Sequence, residues 1–282
     1  PCNAVRAGMG RRRCASSAVS RRPSPVRCAL RCERLPAAVG NDGTATAMKA
    51  LASGRGRLPI AVNGETLLCL AAHALLWPQG RVLFVADVHL GKAASFRAAG
   101  VAMPGGHSAH DLDRIATLLD EHEAAHLVIL GDLIHTRESY TTALDQKFRQ
   151  FRARHADVAM TLVRGNHDRH AGDPPAHWGL QLVAEPFELG PFTCLHEPLL
   201  AVPPARTEEQ HHTIELAGHL HPSLRLTTAR ESVALPCFWQ HHRGIVLPSF
   251  GSVTGSSPIS IDIGKSAVVV AGQQLHHLRS LG

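Results

Sequence analysis

The 282-residue sequence contains no apolar run near the roughly 20 residues that a membrane-spanning helix needs. It also lacks a cysteine framework. Cys2, Cys14, Cys28 and Cys32 fall within the first 47 residues, and only Cys69, Cys194 and Cys237 follow. Three scattered thiols neither staple a secreted domain nor supply a structural zinc site, so a reducing, cytoplasmic setting is expected. Surplus positive charge is missing from most of the chain as well. The formal charge of +6 arises in residues 1–47, where nine arginines face Glu33 and Asp42 alone, leaving 20 basic and 21 acidic residues for 48–282. A folded part so close to neutral excludes a broad basic cradle for duplex nucleic acid. Neither an internal repeat nor a domain linker after residue 58 interrupts the rest.

Residues 1–47 are rich in Arg, Ser, Pro and Ala and show no apolar periodicity. Such a stretch cannot bury a core and reads as disordered. The composition also fits an organellar targeting signal, but a segment upstream of a natural start near Met48 is the simpler expectation. The domain organisation expected is therefore a disordered Arg-rich segment over 1–57 and one domain over 58–282. Histidine follows the opposite trend: all twenty lie at or after His73.

Glu65–Leu70 and His73–Trp77 read as a strand pair closed by Pro78-Gln79-Gly80, and Val82–Ala86 as a buried strand. Gly91–Ala99 reads as a short helix. A longer helix begins at Ser108, its candidate N-cap, with Leu112, Ile115, Leu118 and Leu119 on one face. Leu127–Leu130 and Val158–Val163 are further buried strands, separated by the amphipathic Thr141–Arg154. This alternation predicts βαβ units, whose ligands sit beyond the carboxyl ends of the strands. From Pro175 on, short strands follow at Gln181–Val183, Phe192–Leu195, Thr213–Ala217, Leu224–Thr227, Val233–Phe238, Gly244–Leu247, Ile259–Ile263 and Ala267–Val270. The whole reads as two sheets with helices outside.

Five of the apolar runs end in polar clusters: Asp87-x-His89, Gly131-Asp132, Gly165-Asn166-His167-Asp168, His196, and Gly218-His219-Leu220-His221. Residues i and i+2 of an extended segment share a face, so Asp87 and His89 can address one ion, and His219 and His221 likewise lie on one face. Singly these are weak signals: Gly165-Asn166 is also a turn, and a lone His196 is also a core residue. Together, carboxylate and amide oxygens mixed with imidazoles suit Mn²⁺, Fe²⁺ or Zn²⁺. A carboxylate shared by two ions about 3.5–4 Å apart is a design for in-line attack on phosphorus. Lys92, Arg97, Arg164 and Arg169 flank the clusters as candidate phosphate contacts, although Arg97 and Arg169 read more readily as solvated surface. His135 and His170 adjoin the clusters without an assigned role. Gly251–Ser257 lacks the lysine of a phosphate-binding loop and reads as a turn.

In this order the clusters resemble the calcineurin-like metallophosphoesterase superfamily over about residues 82–222. The resemblance implies an α/β fold of the metallophosphatase type, a four-layer αββα sandwich of two mixed β-sheets flanked by helices. It implies two divalent metal ions, Mn²⁺ foremost, with Fe²⁺ or Zn²⁺ also accepted. Asp87, His89 and His221 would hold one ion, Asn166, His196 and His219 the other, and Asp132 would bridge them. His167 would face the phosphate and the departing oxygen. Ala86–Arg97, Arg164–Asp168, Gly172–Pro175, Leu216–Pro222 and Leu235–Trp239 further resemble the ligase-associated DNA-damage-response endonuclease/phosphoesterase (PdeM) branch, from about Leu58 to the C-terminus. That branch implies hydrolysis of nucleic-acid or nucleotide phosphodiesters in bacterial DNA repair, beside a DNA ligase or helicase system.

Two other functions compete with this one. A phosphomonoesterase of the protein-phosphatase type is disfavoured because Gly131–Arg137 lacks that branch's Asp-Arg-Gly run. A metal-free scaffold is disfavoured because all seven ligand positions and His167 are present. In the favoured chemistry, His167 stabilises or protonates the leaving oxygen, oriented by Asp168 or a backbone carbonyl.

Overall fold

The structure is a computed structural model and describes residues 37–39, 45–200, 213–227, 231–262 and 265–281. Most of the Arg-rich segment, and Ile263, lie outside the described residues.

The first strands to form are β1 (Ala37–Val39) and β2 (Ala45–Arg55), ahead of the boundary expected at Leu58. A seven-stranded sheet follows: β3 (Arg57–Val62), β4 (Glu65–Leu70), β5 (Ala74–Trp77), β6 (Val82–Val85), β7 (His126–Leu130), β8 (Ala159–Val163) and β9 (Gln181–Val183), in that spatial order. Strands β3 to β6 pair antiparallel through short turns, and β6 to β9 pair parallel. The central parallel strands β6, β7 and β8 are largely apolar, with Thr161 the polar exception inside β8, because both faces are covered. Leu83, Val85, Leu127, Ile129 and Leu162 face one core, while Val82, Phe84, Val128, Leu130 and Val163 face another.

The crossovers are helical. α1 (Lys92–Ala98) and α2 (His107–Glu121) join β6 to β7, and α3 (Thr142–Arg154) joins β7 to β8. Thr141 caps α3 by accepting from the Leu144 N–H at 3.2 Å. Ser108 does not cap α2, which begins one residue earlier behind Gly106. Its hydroxyl instead accepts from the Gly91 N–H at 2.8 Å, tying the start of α1 to α2. Leu112, Ile115, Leu118 and Leu119 pack with Leu144, Phe148 and Phe151 on the sheet.

After α4 (Asn166–Ala171) the chain builds a second sheet from β10 (Phe187–Leu189), β11 (Phe192–Cys194), β12 (Ile214–Ala217), β13 (Pro222–Thr227), β14 (Ser232–Gln240), β15 (Gly244–Val246), β16 (Ser257–Pro258), β17 (Ser266–Ala271) and β18 (Gln274–Ser280). Its order is β10-β11-β12-β15-β14-β17-β18-β2-β1-β13-β16. β2 pairs with β18 from Arg55↔Gln274 to Met48↔Ser280, and Met48 is fully buried. Residues 45–55 and 57 thus lie in strands, joined at Gly56, and are not a disordered lead. The strand expected over Ile259–Ile263 is not formed at 259–262, yet Ile259 and Ile261 are buried.

The fold is α/β with two mixed sheets enclosing a shared core. Among the described residues, the helices lie against the first sheet only. The far face of the second sheet is covered by strands and loops instead, with Met48, Leu224, Leu226, Ile259 and Ile261 packing on Cys237, Ala267, Val269 and Leu278. Among the described residues, no helix is long and apolar enough to cross a membrane.

Candidate metal centre

The five clusters meet at one rim, beyond the carboxyl ends of β6, β7 and β8 and of β11 and β12. Strand alternation does not bring them there. Asp87 (φ 54°), His89 (φ 49°), Asp132 (φ 52°), His219 (φ 67°) and His221 (φ 45°) all have left-handed backbone. Such residues cost about 1–3 kcal/mol each and persist only where surroundings fix them. Here the Asp87 N–H donates to Gly131 O at 3.2 Å and the His89 N–H to Asp132 O at 2.8 Å. Gly131 itself has φ 80°, and a Cβ on it would stand 2.1 Å from His196 Nδ1, so only glycine fits.

Among the described residues three clusters could hold a cation; one, His89 with His135 and His167, shares His89, and the other two comprise the expected ligands. Asp87, His89 and His221 form one, and Asp132, His196 and His219 the other, each with ligand atoms within 4.8 Å of one another. His221 Nε2 lies 3.4 Å from Asp87 Oδ1, and Asn166 Oδ1 lies 2.8 Å from His196 Nε2. Two atoms that share an ion at about 2.0–2.2 Å stand roughly 2.8–3.6 Å apart, so these spacings fit common ligation. Two atoms in the first group, Asp87 Oδ1 and His89 Nε2, are buried without a hydrogen-bond partner. Native proteins rarely leave such atoms unsatisfied, and a cation answers both. His196 Nδ1 donates to Leu130 O at 3.1 Å, which leaves Nε2 as the ligand atom, the usual arrangement behind a metal-bound imidazole. The residues fit a divalent cation.

Burial pushes the His89 imidazole down to about 2, with Lys92 and the neighbouring histidines adding to it, so it is a neutral donor. Burial also raises the Asp132 carboxyl, as does the Asp87 charge, against the opposing pull of His196 and the His167 N–H.

His167 is fixed from two sides. Its N–H donates to Asp132 Oδ1 at 2.9 Å, and its Nδ1 donates to His135 O at 2.8 Å. The orienting group is thus a carbonyl. Asp168 is engaged otherwise, accepting from the Gly165 and Ile134 N–H groups at 3.0 Å each. Lys92 is half-buried, and its charge is felt by His89 and His135 and feels Asp87 and Asp132. Arg97 and Arg164 are not brought in as free cations. Arg97 donates to Met103 O and Pro104 O, and Arg164 forks onto Asp173 at 2.8 and 2.9 Å. Arg169 lies 3.4 Å from Glu185.

His135 is the residue that sequence reasoning left without a role. Its ring stacks on His167 at 4.9 Å and its Nδ1 lies 3.3 Å from His89 Nδ1. The available signal was its place three residues after Asp132. His170, by contrast, is exposed and bonds its own helix through Asn166 O. A groove of about 580 Å³ beside α2 contains none of the seven ligand candidates.

The family model described as calcineurin-like phosphoesterase matches residues 80–245. The crystal structure of nuclease MPE from Pseudomonas putida is similar at 37% identity and a TM-score of 0.65, covering 78% of this chain and 99% of that one. A conserved uncharacterised protein from Streptococcus pneumoniae, described as a predicted phosphoesterase, aligns at 15% identity over 71% of this chain and 96% of its own. Its TM-score of 0.29 is too low to bear on the fold. No curated protein matches. The matched segment carries both donor groups, Asn166 and His167, and the chain belongs to the calcineurin-like phosphoesterase family as a metal-dependent phosphoesterase.

Proposed function

We propose that the protein is a two-metal phosphodiesterase that cleaves nucleic-acid strands or nucleotide phosphodiesters. One observation carries the two-metal part. Asp132 offers one carboxylate oxygen to each donor group, with Oδ2 3.7 Å from His89 Nε2 and Oδ1 3.5 Å from His196 Nε2. Asp87, His89 and His221 would hold one ion, Asn166, His196 and His219 the other, and Asp132 would serve both. Bound there, divalent ions supply Lewis acidity to phosphoryl oxygens and bring water acidity near neutral pH. Mn²⁺ is the cation proposed, and the same oxygen and imidazole donors without thiolate also accept Fe²⁺ or Zn²⁺.

The remaining steps belong to the protein. His167 holds its Nδ1 proton on His135 O, so Nε2 is the atom that hands a proton to the departing oxygen. Lys92 adds positive charge where the phosphate enters. The diester substrate class is supported by the similarity to a nuclease and by the resemblance of Ala86–Arg97 to the repair branch. Near-neutral charge over 48–282 favours short or single-stranded substrates over long duplexes. DNA repair, beside a ligase or helicase, is the setting this branch supplies.

The test is a Mn²⁺-reconstituted comparison of bis(p-nitrophenyl) phosphate, p-nitrophenyl phosphate and a single-stranded oligonucleotide. Cleavage of the diester and the oligonucleotide is expected. A strong monoester preference overturns the reading.

A further inference from the structure

We infer that Asp111 and Arg114, both on α2, are positioning residues for the Asp87–His89–His221 metal position, acting through the loop that begins at Phe250. The inference rests on the two-metal reading and adds to it residues that touch neither ion nor substrate.

The loop is held to α2 at both ends of a three-residue segment. Arg114 donates through Nη1 to Phe250 O at 2.8 Å and to Asp111 Oδ1 at 3.0 Å, and through Nη2 to Ala72 O at 2.8 Å. Its guanidinium also lies 4.1 Å from the Phe250 ring centre. Asp111, 2% exposed, accepts from the Ser252 N–H and hydroxyl, each at 3.1 Å from Oδ2. Between these anchors the loop pairs with the strained ligand segment. The Phe250 N–H donates to Ala86 O at 2.8 Å and the Gly251 N–H to Asp87 O at 3.2 Å. The approach is so close that a Cβ on Gly251 would stand 2.3 Å from Val88 O. Further along, the Ser257 N–H donates to His221 O at 2.9 Å.

The loop therefore supports the backbone of two ligands, Asp87 and His221, and both belong to the same donor group. Both have left-handed φ, a state that needs such support. Backbone support of the second group comes from elsewhere, as at His196, whose N–H donates to Glu185 Oε2 at 2.8 Å. A buried carboxylate and a half-buried guanidinium fastening one loop thus govern one metal position of two. Groups that orient ligands typically account for about 10–100-fold in metal affinity.

The experiment titrates metal-stripped full-length wild type, Arg114→Ala, Arg114→Lys and Asp111→Asn with Mn²⁺ by calorimetry, and records the melting temperature without metal. Arg114→Ala is expected to weaken one of two binding events by about 10–100-fold and leave the other unchanged. Arg114→Lys, which keeps the charge but not the fork, falls between. Asp111→Asn keeps shape and decides the matter should Arg114→Ala fail to fold. Two binding events as tight as the wild type's, or both weakened alike in every folded variant, overturn the inference. A single event in the wild type would instead sink the two-metal reading. The inference then stands or falls on whether the variants weaken that event.

Discussion

The His219 N–H donates to Asp87 Oδ2 at 2.9 Å, fastening the two donor groups to each other across 132 residues of chain. The bond occupies one oxygen of Asp87 and leaves Oδ1, buried and unpartnered, for an ion. One bond thus ties the two groups together, and Asp87 Oδ1 remains a buried atom that a bound cation would satisfy.

From that follows an opposed pair of effects for Asp132→Asn. Removing the shared carboxylate should cost at least about 100-fold in metal affinity, beyond what outer partners contribute, and turnover should fall with it. Without metal, the variant should melt no lower than the wild type, because a buried carboxylate next to Asp87 has been neutralised. Melting curves with and without Mn²⁺ check both signs, and a large loss of metal-free stability would contradict the account.

His167→Ala should leave metal content intact and reduce turnover by about 10²–10⁴-fold for an oligonucleotide, the range for a lost proton donor. The loss should be smaller for bis(p-nitrophenyl) phosphate, whose leaving group needs no proton. Equal losses on both substrates would remove His167 from the proton-donor role.

The side chain of His241 is 4% exposed, and burial, with His242, Arg243 and Lys265 adding like charge, pushes it down to about 4 from 6.5. Glu215 lies 3.7 Å away but is already bonded to Arg243 at 2.7 Å. The unfolded chain binds this proton first, so stability falls as pH drops from 6.5 toward 4 and is unaffected above. His241→Gln should reduce the loss between pH 7 and pH 4.5 by about 1–3 kcal/mol in urea unfolding. An unchanged pH slope would show that His241 carries no such effect.

A chain beginning at Ala37, which keeps β1 between β2 and β13, should melt with the full-length protein, whereas one beginning at Leu58 should not. The shorter chain loses the strand that covers β18 and the buried Met48, roughly 2–5 kcal/mol for that side chain alone. It also gains a bare sheet edge and should self-associate in size-exclusion chromatography.

The parts legible in the sequence were those where one physical demand dominates. Val82–Val85, His126–Leu130 and Ala159–Val163 must be apolar on both faces, and the polar clusters interrupt them abruptly. β2 was not legible because its Ala-rich stretch buries little besides Met48 and depends on a partner more than 200 residues away. α4 was hidden because Gly165-Asn166 reads as a turn, though Asn166 opens a six-residue helix. Ser108 looked like a cap, but its hydroxyl serves Gly91. The roles of His135 and of the Arg114 brace depend on contacts between segments, which local pattern does not encode.

The left-handed backbone at Asp87, His89, Asp132, His219 and His221 reaches beyond catalysis to what the centre can become. Asp, Asn and His are the non-glycine residues that tolerate this conformation best. Exchanging one of these five for Cys or Glu to retune metal preference would meet resistance from the main chain before any question of coordination arose. The donor alphabet of this centre is thus written in its torsion angles, and a redesign of its metal chemistry would have to begin by relaxing the turns.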